Sequence, residues 1–175
     1  MRKSMLIALL SLTLVAPVLA DRSLPVSLLR EAPDLKLLGS GEMRWFGLHL
    51  YDASLWSSAQ TWSPKQVFAL DLLYAREIPG KRLVDSSISE MRRLGIKDEE
   101  KLTRWSDSMA RVFPDVKKGD RIVGVHIPGK GASFYHQGQP TGTVEDAEFS
   151  DMFFAIWLDP RTREPSLRKA LLGQQ

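Results

Sequence analysis

The chain has 175 residues, 43% of them hydrophobic and 26% charged, with a formal net charge of +3, no cysteine and three histidines. Arg2 and Lys3 carry two of those positive charges, so residues 21–175 sit near +1 with both signs interspersed, and no basic surface for nucleic acid is expected despite the high isoelectric point. The lack of cysteine excludes thiol catalysis, redox exchange and Cys-based zinc sites. His49, His126 and His136 lack H-x-x-x-H spacing, so neither metal nor cofactor is expected.

Residues 1–20 place Arg2 and Lys3 before an apolar run from Met5 to about Val18 and end at Ala20, the pattern of a cleaved secretory signal. An uncleaved anchor is the alternative, but it needs ~20 apolar residues, and this run is shorter and contains Pro17. Export to the periplasm and no stable membrane span after cleavage are therefore expected. Residues 21–175 have the length of one domain with a hydrophobic core.

Asp21 to Pro33 is a mixed segment with a short helix around Val26 to Arg30. Leu35 to Trp56 reads as one or two long aromatic strands interrupted by Gly39, Gly41 and Gly47, with Gly47 as a candidate bulge. Gln66 to Tyr74 is a strand whose Phe68, Leu70, Leu72 and Tyr74 share one face. After Ile78-Pro79-Gly80, a helix from about Arg82 to Leu94 shows Leu83, Val84, Ser87, Ile88, Met91 and Leu94 on one side and stops at Gly95. A second helix, capped by Asp98, lines up Leu102, Trp105, Met109, Val112 and Phe113. Strands follow at Arg121–Ile127, at Gly131–Tyr135 and near Gly142–Val144, joined by short glycine-containing turns as an antiparallel meander. Phe149, Met152, Phe153, Ile156 and Trp157 recur at helical spacing, and a last amphipathic piece follows Pro165. Runs of strands and helices without regular alternation predict an α+β fold, an antiparallel sheet with helices on one face.

Four segments carry a resemblance: GSGEMRWFGLHLYDASLW from Gly39, LLYAREIP from Leu72, FPDVKKGDRIVGVHIPGKGASFYHQGQPTG from Phe113, and FSDMFFAIWL from Phe149 with LRKALLG at Leu167. In this order they resemble the bacterial chalcone isomerase-like family over nearly all of residues 21–175. The resemblance implies an open-faced β-sandwich, a long antiparallel sheet with a layer of helices. It also implies one of two functions, since the family holds chalcone-cyclising isomerases and non-catalytic relatives that include fatty-acid-binding proteins. The isomerases use an early strand arginine, for which Arg44 stands here, and a tyrosine and an asparagine on the first helix. Those two positions fall near Leu83 and Glu90. Leu83 offers no donor and Glu90 opposes the charge developing on a ketone oxygen, so isomerase activity is discounted.

Among candidate ligand-binding residues, Arg44 lies within Met43-Arg44-Trp45-Phe46, where desolvating an unpaired guanidinium is costly and a bound carboxylate would pair with it. The alternative is an outward arginine paired with Glu42. Arg76 shares parity with Tyr74 at the end of the apolar face, with Glu77 or Asp71 as structural partners. Tyr51 offers a hydroxyl on an apolar ring, either for a ligand or for a backbone partner; alternation sets it opposite Arg44 unless a bulge intervenes. His49 shares parity with Tyr51 and has no accompanying nucleophile. Lys130 in P-G-K-G lacks the ending and helix of a phosphate loop. Trp105, Phe149, Phe153 and Trp157 are core residues that can also line a cavity. The expectation is an exported, non-catalytic protein that binds a fatty acid or similar apolar carboxylate between sheet and helices. An intramolecular lyase and a structural or partner-binding envelope protein are the alternatives.

Overall fold

A computed structural model describes residues 24–174, and the expected leader at residues 1–20 lies outside them. A short helix α1 (Val26–Glu31) leads into strands β1 (Lys36–Trp45), β2 (Leu48–Ser57) and β3 (Phe68–Tyr74). Helices α2 (Gly80–Leu94) and α3 (Glu99–Val112) separate these from β4 (Arg121–Ile127), β5 (Gly131–His136) and β6 (Gln139–Val144), and α4 (Ala147–Leu158) and α5 (Pro165–Leu171) close the chain. The strands form one six-stranded sheet in the order β1-β2-β3-β4-β5-β6, each antiparallel to its neighbour. The fold is the expected α+β arrangement, and helices α2 to α5 lie on one face.

Alternation assigns the two faces. Ala53, Leu55, Phe68, Leu70, Leu72, Ile122 and Phe134 are buried toward the helices in one continuous core. Ala69, Val123, Val125 and Tyr135 point the other way and are covered by Leu24 and Leu28 around α1. The sheet is therefore not open over its whole second face, because the central strands carry apolar residues on both sides. Among the described residues no helix is long and apolar enough to cross a membrane.

The helix ends follow their local chemistry. Asp98 accepts from the Lys101 amide at 2.9 Å and Asp146 from the Phe149 amide at 2.9 Å, capping α3 and α4. Gly95 ends α2 at φ 122°, in the left-handed region that glycine tolerates. Helix α4 is rotated from the expected stripe. It buries Phe149, Ser150, Phe153, Phe154 and Leu158, and leaves Met152, Ile156 and Trp157 half-buried. Two contacts on β4 set that rotation. Gly124 leaves room for the Phe154 ring, whose atoms would lie 3.2 Å from a Cβ there. His126 holds Ser150, with Nδ1 at 2.7 Å from Ser150 Oγ and Nε2 at 2.8 Å from the Pro64 carbonyl. A carbonyl only accepts, so Nε2 carries the proton and Nδ1 accepts from the serine. Phe68 stacks on the imidazole at 4.7 Å between ring centroids.

Helix α5 lies on β1 at two glycines. A Cβ on Gly39 would meet the Ala170 carbonyl oxygen at 2.1 Å, and one on Gly41 would meet Leu167 Cδ1 at 2.9 Å. Gly39→Ala is therefore expected to push α5 off the strand and to cost about 1–3 kcal/mol, read from the urea midpoint. His126 yields a second expectation. Burial pushes its pKa below the ordinary value, opposed by the Pro64 carbonyl and Asp151. The unfolded chain therefore takes up the proton first as pH falls. The stability tied to neutral His126 is complete above about pH 6.5 and lost progressively below it. His126→Gln is expected to flatten that acid limb in thermal melts across pH.

Candidate functional site

The helix-facing side of the first three strands carries a polar row. Met43 on β1 pairs with Tyr51 on β2, and Tyr51 pairs with Tyr74 on β3, so the three side chains are lateral neighbours. The tyrosine rings meet edge-on at 5.8 Å between centroids. From α4, Trp157 Nε1 donates to Tyr51 Oη at 3.0 Å. Tyr74 is 4% exposed, and its hydroxyl makes no hydrogen bond to any described residue. Burial pushes the Tyr51 phenol well above its ordinary pKa, against the Trp157 bond and with a small addition from the Glu164 charge. Burial does the same to Tyr74, with Tyr51 adding to it. Both phenols thus keep their protons, and the Tyr51 hydroxyl, accepting from Trp157, has its own proton to give. The row presents O–H donors among apolar side chains, an arrangement suited to an acceptor oxygen such as that of a carboxyl or carbonyl group.

The expected ligand-binding residues are not all brought to this row. Arg44 lies on the opposite face near the end of the β1–β2 hairpin, exposed, with Nε at 2.7 Å and Nη2 at 3.0 Å from the two carboxylate oxygens of Glu42. Its Nη1 also donates to the Gly47 carbonyl at 3.3 Å. The side chain that faces Tyr51 is Met43. A bulge does occur in the hairpin, but at Leu50: the pairing passes from Met43↔Tyr51 to Arg44↔His49 and leaves Leu50 unmatched. Gly47, the candidate bulge, is instead a turn residue at φ 79°. The extra residue breaks the parity of His49 with Tyr51, and the imidazole Nε2 sits 3.1 Å from Asp52 Oδ1. Glu42, His49 and Asp52 thereby gather ligand-type atoms within 4.8 Å of one another, with Arg44 already on the Glu42 carboxylate.

Arg76 follows the end of β3 and is exposed, without an ion pair to Glu77 or Asp71. Asp71 belongs to the other parity. It is 4% exposed and is bound by Arg121 through a two-pronged contact, Nε donating to Oδ1 at 2.7 Å and Nη2 to Oδ2. On α2, Glu90 is held by Arg93 and Arg163 at 2.8 Å each, while Leu83 is half-buried against the core. Lys130 lies in the β4–β5 turn beside a shallow depression of about 400 Å³ lined by Ile127, Gly131, Thr143 and Glu145. Phe149 and Phe153 are core: they stack at 5.6 Å, and Phe134 meets Phe153 at 5.3 Å. Trp105 is core as well, its Nε1 donating to Asp146 at 2.9 Å. Tyr74 and Trp157 were not singled out as polar groups by sequence, because their meeting with Tyr51 depends on strand register and on the rotation of α4.

A family model described as chalcone isomerase-like matches residues 16–173. Among solved structures, the crystal structure of a fatty-acid-binding protein of Arabidopsis thaliana is similar with a TM-score of 0.61 and 12% sequence identity, over 80% of this chain and 87% of that one. At that identity the likeness is one of fold. No curated protein matches the chain.

The raised phenol pKa values have a measurable consequence. The unfolded tyrosines ionise near pH 10 and the folded ones above it, so the stability they contribute is complete below about pH 10 and lost as pH rises beyond it. Absorbance titration of the native protein near 295 nm is expected to show Tyr51 and Tyr74 ionising together with alkaline unfolding, not as ordinary exposed phenols. Normal titration of all three tyrosines in the still-folded protein would contradict this.

Proposed function

Because the chain belongs to the chalcone isomerase-like family, we propose that it is a non-catalytic carrier holding a fatty acid or similar apolar carboxylate between sheet and helices. The observation that carries this reading is the Tyr51–Tyr74 pair: two protonated phenols in an apolar setting, neither of which gives its proton to a described residue. An acceptor oxygen on an apolar ligand would take the proton that the Tyr74 hydroxyl gives to no described residue, a hydrogen bond worth about 1.5–3 kcal/mol when the acceptor is charged. The likeness to a protein described as fatty-acid-binding supports the same ligand class. Arg76, two residues beyond Tyr74 and exposed, is paired with neither Glu77 nor Asp71 and supplies a cation just past the end of β3. Arg44 is no part of this site, since the sheet separates it from the tyrosines. Half-buried Met43, Met152, Ile156 and Trp157 are the side chains that yield to an acyl chain. We also propose export by the leader at residues 1–20 and work in the periplasm.

A second reading draws on the aromatic interior. Phe113, Phe134, Phe149 and Phe153 fill the space between the layers with centroid separations of 5.0–6.3 Å, as in a protein whose core is complete without a ligand. Mass spectrometry of an organic extract from purified residues 21–175 separates the two. The carrier reading expects a stoichiometric apolar acid. Tyr74→Phe is expected to weaken its binding roughly ten- to a hundredfold, the value of a hydrogen bond to a charged group, while Arg44→Ala leaves it unchanged. An empty extract together with no measurable uptake of added long-chain acids would sink the carrier reading and leave the self-filled protein.

A further inference from the structure

The β1–β2 hairpin ends in Trp45-Phe46-Gly47-Leu48. Trp45 and Leu48 are the last paired residues, so Phe46 and Gly47 alone make the turn, with φ values of 47° and 79°. Two positive φ values describe a type I′ connection, which asparagine and glycine fill readily and phenylalanine does not. Phe46 is nevertheless there, and it is 89% exposed, beside Leu48 at 55% and Trp45 at 45%. Trp45 and Phe46 pack on each other edge-on at 5.1 Å. Of the large apolar side chains exposed among the described residues, the others, Val26 and Leu37, lie elsewhere, on α1 and near the start of β1. The tip thus combines backbone strain, aromatic exposure and a convex shape in four consecutive residues.

What can cover such a tip is limited by its area. The three side chains expose on the order of 400 Å², about half of what each partner contributes to a specific protein interface. A lipid surface needs no matching concavity and accepts a narrow aromatic wedge, with Trp at the headgroup boundary. The shoulders of the hairpin bear Arg44 and Arg76 against Glu42, Asp52 and Glu77, so charge neither drives nor forbids the approach. Tyr51 lies three residues along β2 from Leu48, ~10 Å at the rise of a strand, comparable to the depth to which interfacial segments sink. A tip seated in the bilayer therefore brings the tyrosine row to the lipid–water boundary.

We propose that the Trp45–Leu48 hairpin tip inserts into the surface of a lipid bilayer, where the carrier takes up and releases its apolar acid. The purpose rests on the carrier reading, while the membrane contact itself does not. The test is flotation of purified residues 21–175 with vesicles of phosphatidylethanolamine and phosphatidylglycerol, comparing wild type with Phe46→Asn and with Leu48→Ser. Asn-Gly suits the turn, so Phe46→Asn is expected to keep or raise the thermal midpoint while lowering vesicle partitioning on the order of tenfold. In vesicle-free solution its affinity for a fluorescent long-chain acid stays that of wild type, and transfer of that acid from vesicles slows. Wild type that stays out of the floated fraction overturns the proposal, as does Phe46→Asn floating like wild type. Concentration-dependent self-association in sedimentation that Phe46→Asn abolishes overturns it too, by assigning the tip to a second copy of the chain. Flotation that depends on Phe46 in a protein that binds no acid supports the tip contact and overturns the carrier reading alone.

Discussion

The unpaired Leu50 in β2 determines which polar groups of this protein share a face. Without it, strict alternation would carry His49 to the same side as Tyr51; with it, His49 turns to Asp52 and stays with Glu42 and Arg44 on the far side of the sheet. The pairing then leaves Met43, Tyr51 and Tyr74 as a row beneath the helices. A one-residue insertion thus separates a charged, solvated cluster from a neutral, apolar-lined pair of phenols, and the functional reading follows that separation.

The helix layer completes the site by its closeness to the sheet. Glycines at 39, 41 and 124 remove the side chains that would hold α5 and α4 away, and the His126–Ser150 contact fixes the rotation of α4. That rotation commits Phe149, Phe153, Phe154 and Leu158 to the core and leaves Trp157 at its margin, within reach of the Tyr51 hydroxyl. A tightly packed aromatic interior and a polar row at its edge are two results of one packing decision.

Much of the fold was legible in the chain. Period-2 alternation located β3, β4 and β5 to within two residues; the 3.6 period with Asp98, Gly95 and Pro165 as punctuation located α2, α3 and α5. The chalcone isomerase-like resemblance added a long antiparallel sheet with a layer of helices on one face, and the family match bears the resemblance out. The candidate site was less legible. Arg44 stood out because a cation among aromatics demands a partner, and Glu42, two residues away on the same strand face, meets that demand. Asp71 looked available to Arg76, yet it belongs to the opposite parity and is taken by Arg121, fifty residues on. Alternation within one strand is a local property that sequence displays; cross-strand partners depend on register, which it does not.

By itself, the sequence determined the α+β class, the antiparallel meander, the apolar faces of β3 and α3, and the exclusion of cysteine chemistry, because these depend on residue type and periodicity alone. Tertiary structure decided where the bulge falls, that Arg44 and Tyr51 lie on opposite faces, that Tyr74 and Trp157 join Tyr51, and that Trp45, Phe46 and Leu48 stand exposed at a hairpin tip. The physical reason is that a one-residue change in strand register, or a part-turn of a helix, costs little in local propensity but reverses the surroundings of every side chain on the element. Only the summed packing of distant segments, α4 on Gly124 and α5 on Gly39, selects among those alternatives.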